Sequence, residues 1–95
     1  MILGIVELTL DIPGASSLKD KRQVIRSLMD RIRHDFHVSI SEVGDQELWN
    51  RATLGIACVT NDAGHAESVL GKVRNVFDRD PDAEIIDWLQ SIEHR

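Results

Sequence analysis

Basic side chains that could hold phosphate groups are concentrated in one short segment of the chain. Residues 17–35 carry six lysines and arginines against three aspartates, a local charge of +3 in a protein whose net charge is −5. At about 100° per residue, four of these cations fall within about 60° of one another on a helical wheel. They are Lys19, Arg22, Arg26 and Arg33, with Asp30 placed to pair with Arg26. The row predicts a face that binds RNA or another anion. The alternative is a solvated helix face that limits aggregation.

Lys21 lies in the same segment but on a different face of the predicted helix. Its wheel angle places it among apolar residues, near Ile25 and Leu28. An unpaired buried ammonium is costly, so we expect Lys21 to reach solvent or to pair with an acidic group of a neighbouring strand or loop. Because it stands near the helix start, it is also a candidate to help hold an anion.

A second candidate contact lies in the polar stretch Gly44–Asn50, which separates two predicted strands. This stretch carries Trp49, and Arg51 follows it directly. A tryptophan beside an arginine is typical of partner contacts, because the ring offers a large apolar surface at low entropic cost. The alternative is a tryptophan that folds back over the edge of the sheet.

The residue types that catalysis or metal binding requires do not occur in matching patterns. Cys58 is the one cysteine and stands in an apolar run, which predicts a small buried side chain and no internal disulfide. His34 and His37 straddle a helix end, and the other histidines lack ligand spacing. No phosphate-binding glycine motif or nucleophile elbow is present. We therefore expect no catalytic, metal-binding or cofactor-binding residues, with an undiscovered enzyme as a third alternative.

Periodicity in the sequence predicts the elements that position these residues. Period-two alternation predicts strands over residues 2–10, 37–43 and 51–60. A last strand is predicted over residues 83–89, with residues 90–95 left as an unassigned polar tail. Apolar stripes predict one helix from a cap at Ser17 to about Phe36 and another from the cap Asn61-Asp62 to about Arg79. This β-α-β-β-α-β order predicts an α+β, ferredoxin-like domain over residues 1–95. Its antiparallel four-stranded sheet would carry both helices on one face.

The other face of that sheet would be bare. If Val6 and Leu8 face the helices, the bare face holds small and polar residues that let another chain approach closely. They are Glu7, Thr9, Thr53, Gly55, Ala57 and Val59. An alternative function is therefore a homo-oligomeric interaction module, such as a homodimer, that uses this face.

Several segments together resemble the YlxP-like family of small bacterial proteins of unknown function. The segments are Ser17–Arg22, Val38–Gln46, Leu48-Trp49, Arg51-Ala52, Leu54–Ile56, Thr60–Asp62 and His65-Ala66. The resemblance implies a ferredoxin-like fold. Since members are encoded beside translation-initiation and ribosome-maturation factors, it also implies a role linked to translation. Ribosomal RNA or a translation-associated protein would then be the partner. The resemblance supplies no catalytic residues.

Two absences in the sequence bear on location. No apolar run approaches the roughly 18 residues that span a bilayer. The apolar start of the chain, Met1–Leu10, is short and lacks the basic residues of a signal peptide. We therefore expect a cytoplasmic protein with no membrane partner.

Overall fold

The computed structural model describes residues 1–95 and has the element order that the sequence predicts. The elements are β1 (Ile2–Asp11), α1 (Leu18–Asp35), β2 (Ser39–Gly44), β3 (Arg51–Thr60), α2 (Ala63–Arg79) and β4 (Glu84–His94). The strands form one antiparallel sheet in the order β2-β3-β1-β4. The ferredoxin-like α+β fold is therefore confirmed, and β2 and β4 are its two edge strands.

The core lies between the sheet and the two helices. In β1, the buried side chains alternate with more exposed ones, so that Val6 and Leu8 point toward the helices. Helix α1 contributes Ile25 and Ile32 to the same cluster, and α2 contributes residues such as Phe77. Burial of one face per element is what the sequence periodicities predict.

The start of α1 is fixed by two side chains that cap it. The N-cap Ser17 has an extended backbone, and its hydroxyl accepts a hydrogen bond of 3.1 Å from the backbone N–H of Asp20. The Asp20 carboxylate in turn accepts from the backbone N–H and the hydroxyl of Ser16, at 3.1 and 2.8 Å. Both contacts satisfy polar groups at the first turn and place a negative charge at the positive helix end. They fix where the helix that carries the basic row begins.

The last strand is longer than the sequence indicates. The predicted strand over residues 83–89 was too short, since β4 runs from Glu84 to His94 and takes up most of the unassigned polar tail. It pairs with β1 along its length, from Ile2 opposite His94 to Asp11 opposite Glu84. As an edge strand, β4 tolerates polar side chains, and a register shift near Ile86 breaks the alternation that would have indicated it.

No helix in the structure is long and apolar enough to cross a membrane.

Candidate functional site

The basic row on α1 is solvent-exposed over most of its length. Lys19, Arg22 and Arg26 are exposed, and none of them forms an ion pair with a carboxylate of the protein. Their charges are therefore available to an external anion. Coulombic attraction from Lys19 reaches the neighbouring Asp20 carboxylate, but it is the smallest of the effects that lower the pKa of Asp20.

Arg33, at the end of the same row, has a structural role in the fold. Its Nη2 donates a 2.7 Å hydrogen bond to the backbone oxygen of Ile40 in the edge strand β2. Its Nη1 lies 3.5 Å from Asp30 Oδ1, so Asp30 pairs with Arg33. The pairing of Asp30 with Arg26 that the sequence predicted is not observed. Arg33 is about half exposed and is already committed to tying the end of α1 to the sheet.

Lys21 is completely buried, and its ammonium group is surrounded by protein oxygens. Nζ donates to the backbone oxygens of Asp45 at 2.9 Å, Arg51 at 3.1 Å and Gln46 at 3.3 Å. It also lies 3.1 Å from Glu42 Oε2. The predicted pairing with an acidic group of a neighbouring strand is confirmed. Because the three ammonium protons are used inside the protein, a direct contact between Lys21 and an external anion has no support.

Glu42 balances the charge of Lys21 without forming a hydrogen bond to it. Its Oε2 is buried and has no hydrogen-bond partner of acceptable geometry, although the ion-pair distance is short. The carbonyl oxygens occupy the donor directions of the ammonium, and the carboxylate supplies the opposite charge beside them. The arrangement joins α1, β2 and the β2–β3 connection through one cation.

The β2–β3 loop, residues 45–50, is held at both ends. Asp45 adopts a left-handed backbone conformation with φ of 59°, and its Oδ2 accepts a 2.8 Å hydrogen bond from Thr53 Oγ1. The backbone N–H of Leu48 donates to the Asp45 oxygen, and that of Ile12 donates to Asn50 at the other end of the loop. Trp49, which is 49% exposed, is therefore carried by an ordered loop.

The loop and the basic row meet at one cleft. A cavity of about 460 Å³ is lined by Leu18 and Arg22 from α1, by Gln46 and Glu47 from the loop, and by Glu42. In the sequence, Arg22 lies 24 positions before Gln46 and 25 before Glu47, and nothing in the sequence indicated that they adjoin. Arg51 begins β3 next to the loop, with an exposed side chain that forms no ion pair. The structure thus brings Arg22 close to the loop that carries Trp49.

A second cleft gathers residues that sequence reasoning did not connect. It has a volume of about 270 Å³ and is lined by Cys58, His37, His65 and Lys72 among others. Cys58 is 6% exposed, which confirms its predicted burial. The residues come from the end of α1 and the connection that follows it, the end of β3 and the first ten residues of α2, so only the tertiary fold brings them together. No group of three or more histidine, cysteine or acidic side chains in the structure is arranged to hold a metal ion.

The bare sheet face holds the residues that the sequence predicts, but it is more apolar than that list indicates. Val43, Val59 and Leu89 are exposed on it, at 58, 67 and 59%. Thr53 belongs to this face by register, opposite Thr9, but it is only 8% exposed. Its side chain is covered because it bonds to Asp45 and adjoins Gly44 at the bulge where β2 ends.

Comparison with known sequences confirms the resemblance that the short segments indicate. The family model described as "Protein of unknown function (DUF503)" matches residues 3–90. The chain is 37% identical over 83 residues to the uncharacterized protein YlxP of Bacillus subtilis strain 168, over 87% of this chain and 90% of that protein.

Comparison with solved structures supports the fold alone. A de novo designed protein with a ferredoxin fold, determined by NMR in solution, superposes with a TM-score of 0.55 at 15% identity, over 100% of this chain and 88% of that one. A crystal structure of a dimeric ferredoxin-like protein from an uncultured marine organism has a TM-score of 0.46 at 11% identity, over 97% of this chain and 94% of that one.

Proposed function

Since the chain belongs to the DUF503 family of proteins of unknown function, we propose that it is a non-enzymatic RNA-binding protein linked to translation or ribosome assembly. Helix α1 supplies the contact, through Lys19, Arg22 and Arg26. The observation that carries the proposal is that these three cations are exposed and free of internal carboxylates. The translational setting is the one that the family resemblance implies.

The acidic composition of the chain does not oppose a local contact. Residues 17–35 carry +3, and the other residues carry −8. Charges beyond roughly 8–10 Å are largely screened at physiological salt, so a phosphate beside α1 experiences mainly the local row. The acidic remainder instead disfavours binding in other orientations, which would fix how the protein lies on its partner.

Trp49 and Arg51 are the second proposed contact. Arg22 and the loop that carries Trp49 share the walls of one cleft, so a partner on the basic row also reaches this loop. Lys21 and Arg33 are left out of the direct contact, because both make internal bonds. Their contribution is to hold the two parts of the surface in place.

The test is co-sedimentation of the tagged protein with ribosomal particles from its own cells at low and moderate salt. We expect association with one ribosomal subunit that weakens with salt and is lost in the variant Lys19→Glu/Arg22→Glu/Arg26→Glu. The matched control is Arg31→Glu/Lys72→Glu/Arg79→Glu, which changes the net charge equally at other exposed positions. Retention in the first variant, or equal loss in both, would show that α1 is not the contact.

A second candidate function is a homodimeric interaction module, favoured by the exposed apolar residues of the bare sheet face. A shallow groove there is lined by Ile5, Val43, Gly55 and Ala57, beside the exposed Val59. A second copy of the same face would cover this groove and remove its apolar surface from water. Light scattering would then report a dimer, and Ala57→Lys would convert it to a monomer. A monomeric native protein rules this candidate out.

A further inference from the structure

We infer that the RNA bound by α1 is single-stranded, that one of its unpaired bases stacks on Trp49, and that Lys21 is the residue that positions the loop for this contact. The inference rests on the proposed function and names the ligand class and the contact mode. Three features carry it: the exposure of Trp49, the internal bonds of its loop, and the closeness of that loop to Arg22.

Trp49 is suited to stacking because about half of this aromatic residue is open to solvent. It is 49% exposed, and Leu48 beside it is 45% exposed. The other tryptophan, Trp88, is held differently: the guanidinium of Arg74 lies 5.3 Å from the centre of its ring, and its Nε1 donates to Gln90. Aromatic rings next to a cationic groove are the usual platform for bases of single strands, since every base offers a flat face.

The loop is ordered before any ligand arrives. The Lys21 ammonium donates to the carbonyl oxygens of Asp45 and Gln46 in the loop and of Arg51 directly after it. The hydroxyl of Thr53 donates to the carboxylate of Asp45. A side chain on an ordered loop loses less conformational entropy on binding than one on a mobile loop. Lys21 therefore acts on the ligand indirectly, by fixing where Trp49 stands relative to α1.

The shape of the surface favours a single strand over a duplex. Lys19 and Arg26 are seven positions apart, about 10 Å along a helix axis, so the cationic row covers a short stretch of backbone. In duplex RNA the bases are stacked on one another, and their faces are closed to a protruding ring. A single strand can place its backbone along α1 and turn a base onto Trp49.

The first experiment follows the emission of Trp49 directly. In the variant Trp88→Phe, Trp49 is the one remaining tryptophan. It is titrated at low salt with a uridine-rich RNA of about 12 nucleotides, a length within the usual site size, and with the same RNA in duplex form. We expect quenching by the single strand and at least tenfold weaker binding of the duplex. Trp88→Phe should leave RNA affinity, measured by anisotropy, equal to that of the native protein.

The second experiment separates stacking from ionic contact. Trp49→Ala should weaken single-strand binding about tenfold, and Trp49→Phe should restore most of the affinity. If the RNA binds through the basic row but Trp49 is not quenched and Trp49→Ala binds as well as native protein, the stacking inference is wrong and the proposed function stands. If no RNA binds at low salt, both fail together.

The third experiment tests the positioning role of Lys21. Lys21→Gln should expose Trp49 further to acrylamide quenching and weaken single-strand binding about as much as Trp49→Ala does. Where that variant does not fold, Thr53→Val loosens the same loop from the other side by removing the 2.8 Å bond to Asp45. A loosened loop, shown by acrylamide quenching, with unchanged RNA affinity would overturn the positioning role.

Discussion

At the scale of single residues, the buried ammonium of Lys21 joins α1, β2 and the β2–β3 loop. Desolvation of this charge is offset by three carbonyl oxygens and by the Glu42 carboxylate, all within 3.3 Å. Lys21→Met keeps much of the side-chain volume but leaves those oxygens without a cation. We expect a loss of about 3–5 kcal/mol in the free energy of unfolding, measured by urea denaturation.

The matched variant is Glu42→Gln. The Glu42 side chain is 19% exposed. Glu42→Gln removes its negative charge but leaves the hydrogen bonds from Lys21 to the three carbonyl oxygens in place. Because the buried ammonium then loses its counter-charge but keeps its three carbonyl partners, Glu42→Gln should cost about 1–3 kcal/mol, less than Lys21→Met. If both variants lost the same free energy of unfolding, the ion pair with Glu42, and not the hydrogen bonds to the three carbonyl oxygens, would hold the loop.

The sequence predicts the environment of Lys21 but not its partners. Its place on the apolar side of the helical wheel follows from spacing within one helix. Its hydrogen-bond partners are mostly backbone oxygens of the β2–β3 loop, and no pattern of side chains in the sequence predicts where a loop places its backbone oxygens. Arg33 is a similar case. Its position on the helical wheel predicted a side chain that faces solvent, but its guanidinium donates a hydrogen bond to the backbone oxygen of Ile40.

Asp20 makes the stability of α1 dependent on pH. Hydrogen bonds from the side chain and the backbone of Ser16, together with smaller contributions from Ser17 and Lys19, lower the pKa of Asp20 below its ordinary value. The carboxylate thus adds stability above the unfolded-state pKa, and this stability is lost as the pH falls through the lower folded-state pKa. Asp20→Asn should be less stable than the native protein at neutral pH, and the two should converge in acid. Denaturation curves across the acidic range would show this, whereas a constant difference at every pH would contradict it.

At the scale of elements, two glycines test how tightly the helices pack on the sheet. A Cβ at Gly4 in β1 would lie 2.9 Å from Cys58 Sγ and 3.1 Å from Leu70 Cδ1. Gly4→Ala should therefore lower the free energy of unfolding by about 1–3 kcal/mol through overpacking. In the exposed middle of α2, a Cβ at Gly71 meets nothing within 4 Å, so Gly71→Ala should raise the free energy of unfolding by about 0.5–1 kcal/mol.

The same pair of variants has an internal check. Adding Cys58→Ala to Gly4→Ala removes the nearest clashing atom and should recover part of the loss, while Leu70 still crowds the new methyl group. If Gly4→Ala and Gly71→Ala have equal free energies of unfolding, α2 does not approach β1 as closely as the structure shows.

Among the elements, those with a clean period were predictable, including the edge strand β2, whereas the edge strand β4 was predicted only in its first half. Helix α1 shows a regular apolar stripe and a serine cap, and both of its ends lie where the sequence places them to within a residue. Strand β4 faces solvent along one edge and shifts register near Ile86, so its polar second half resembled a tail. Backbone pairing with β1, which the side chains of Gln90 and Ser91 do not reveal, decides its length.

At the scale of the whole molecule, charge is segregated more than the composition shows. The sequence locates the positive segment, because the cations are neighbours along the chain. It could not show that the loop carrying Trp49 adjoins Arg22, or that Glu42 and Glu47 line the same cleft. Those carboxylates reduce the positive potential at that border, so the phosphate contact of Arg22 should add less to the binding affinity than those of Lys19 and Arg26.

This segregation makes the salt dependence of binding a measure of how many cations take part. For single-stranded RNA, the logarithm of the association constant falls with the logarithm of salt concentration by about 0.7 per neutralised phosphate. Three contacts at Lys19, Arg22 and Arg26 therefore predict a slope of about −2. Binding of a short single-stranded RNA, measured by fluorescence anisotropy at several salt concentrations, gives this slope directly.

Each single charge neutralisation in the row should make the slope shallower by about 0.7, whereas Arg31→Gln on the other side of α1 should leave it unchanged. A native slope near zero would assign the affinity to uncharged contacts, and a slope that Arg31→Gln reduces equally would place the RNA on a different face of the helix.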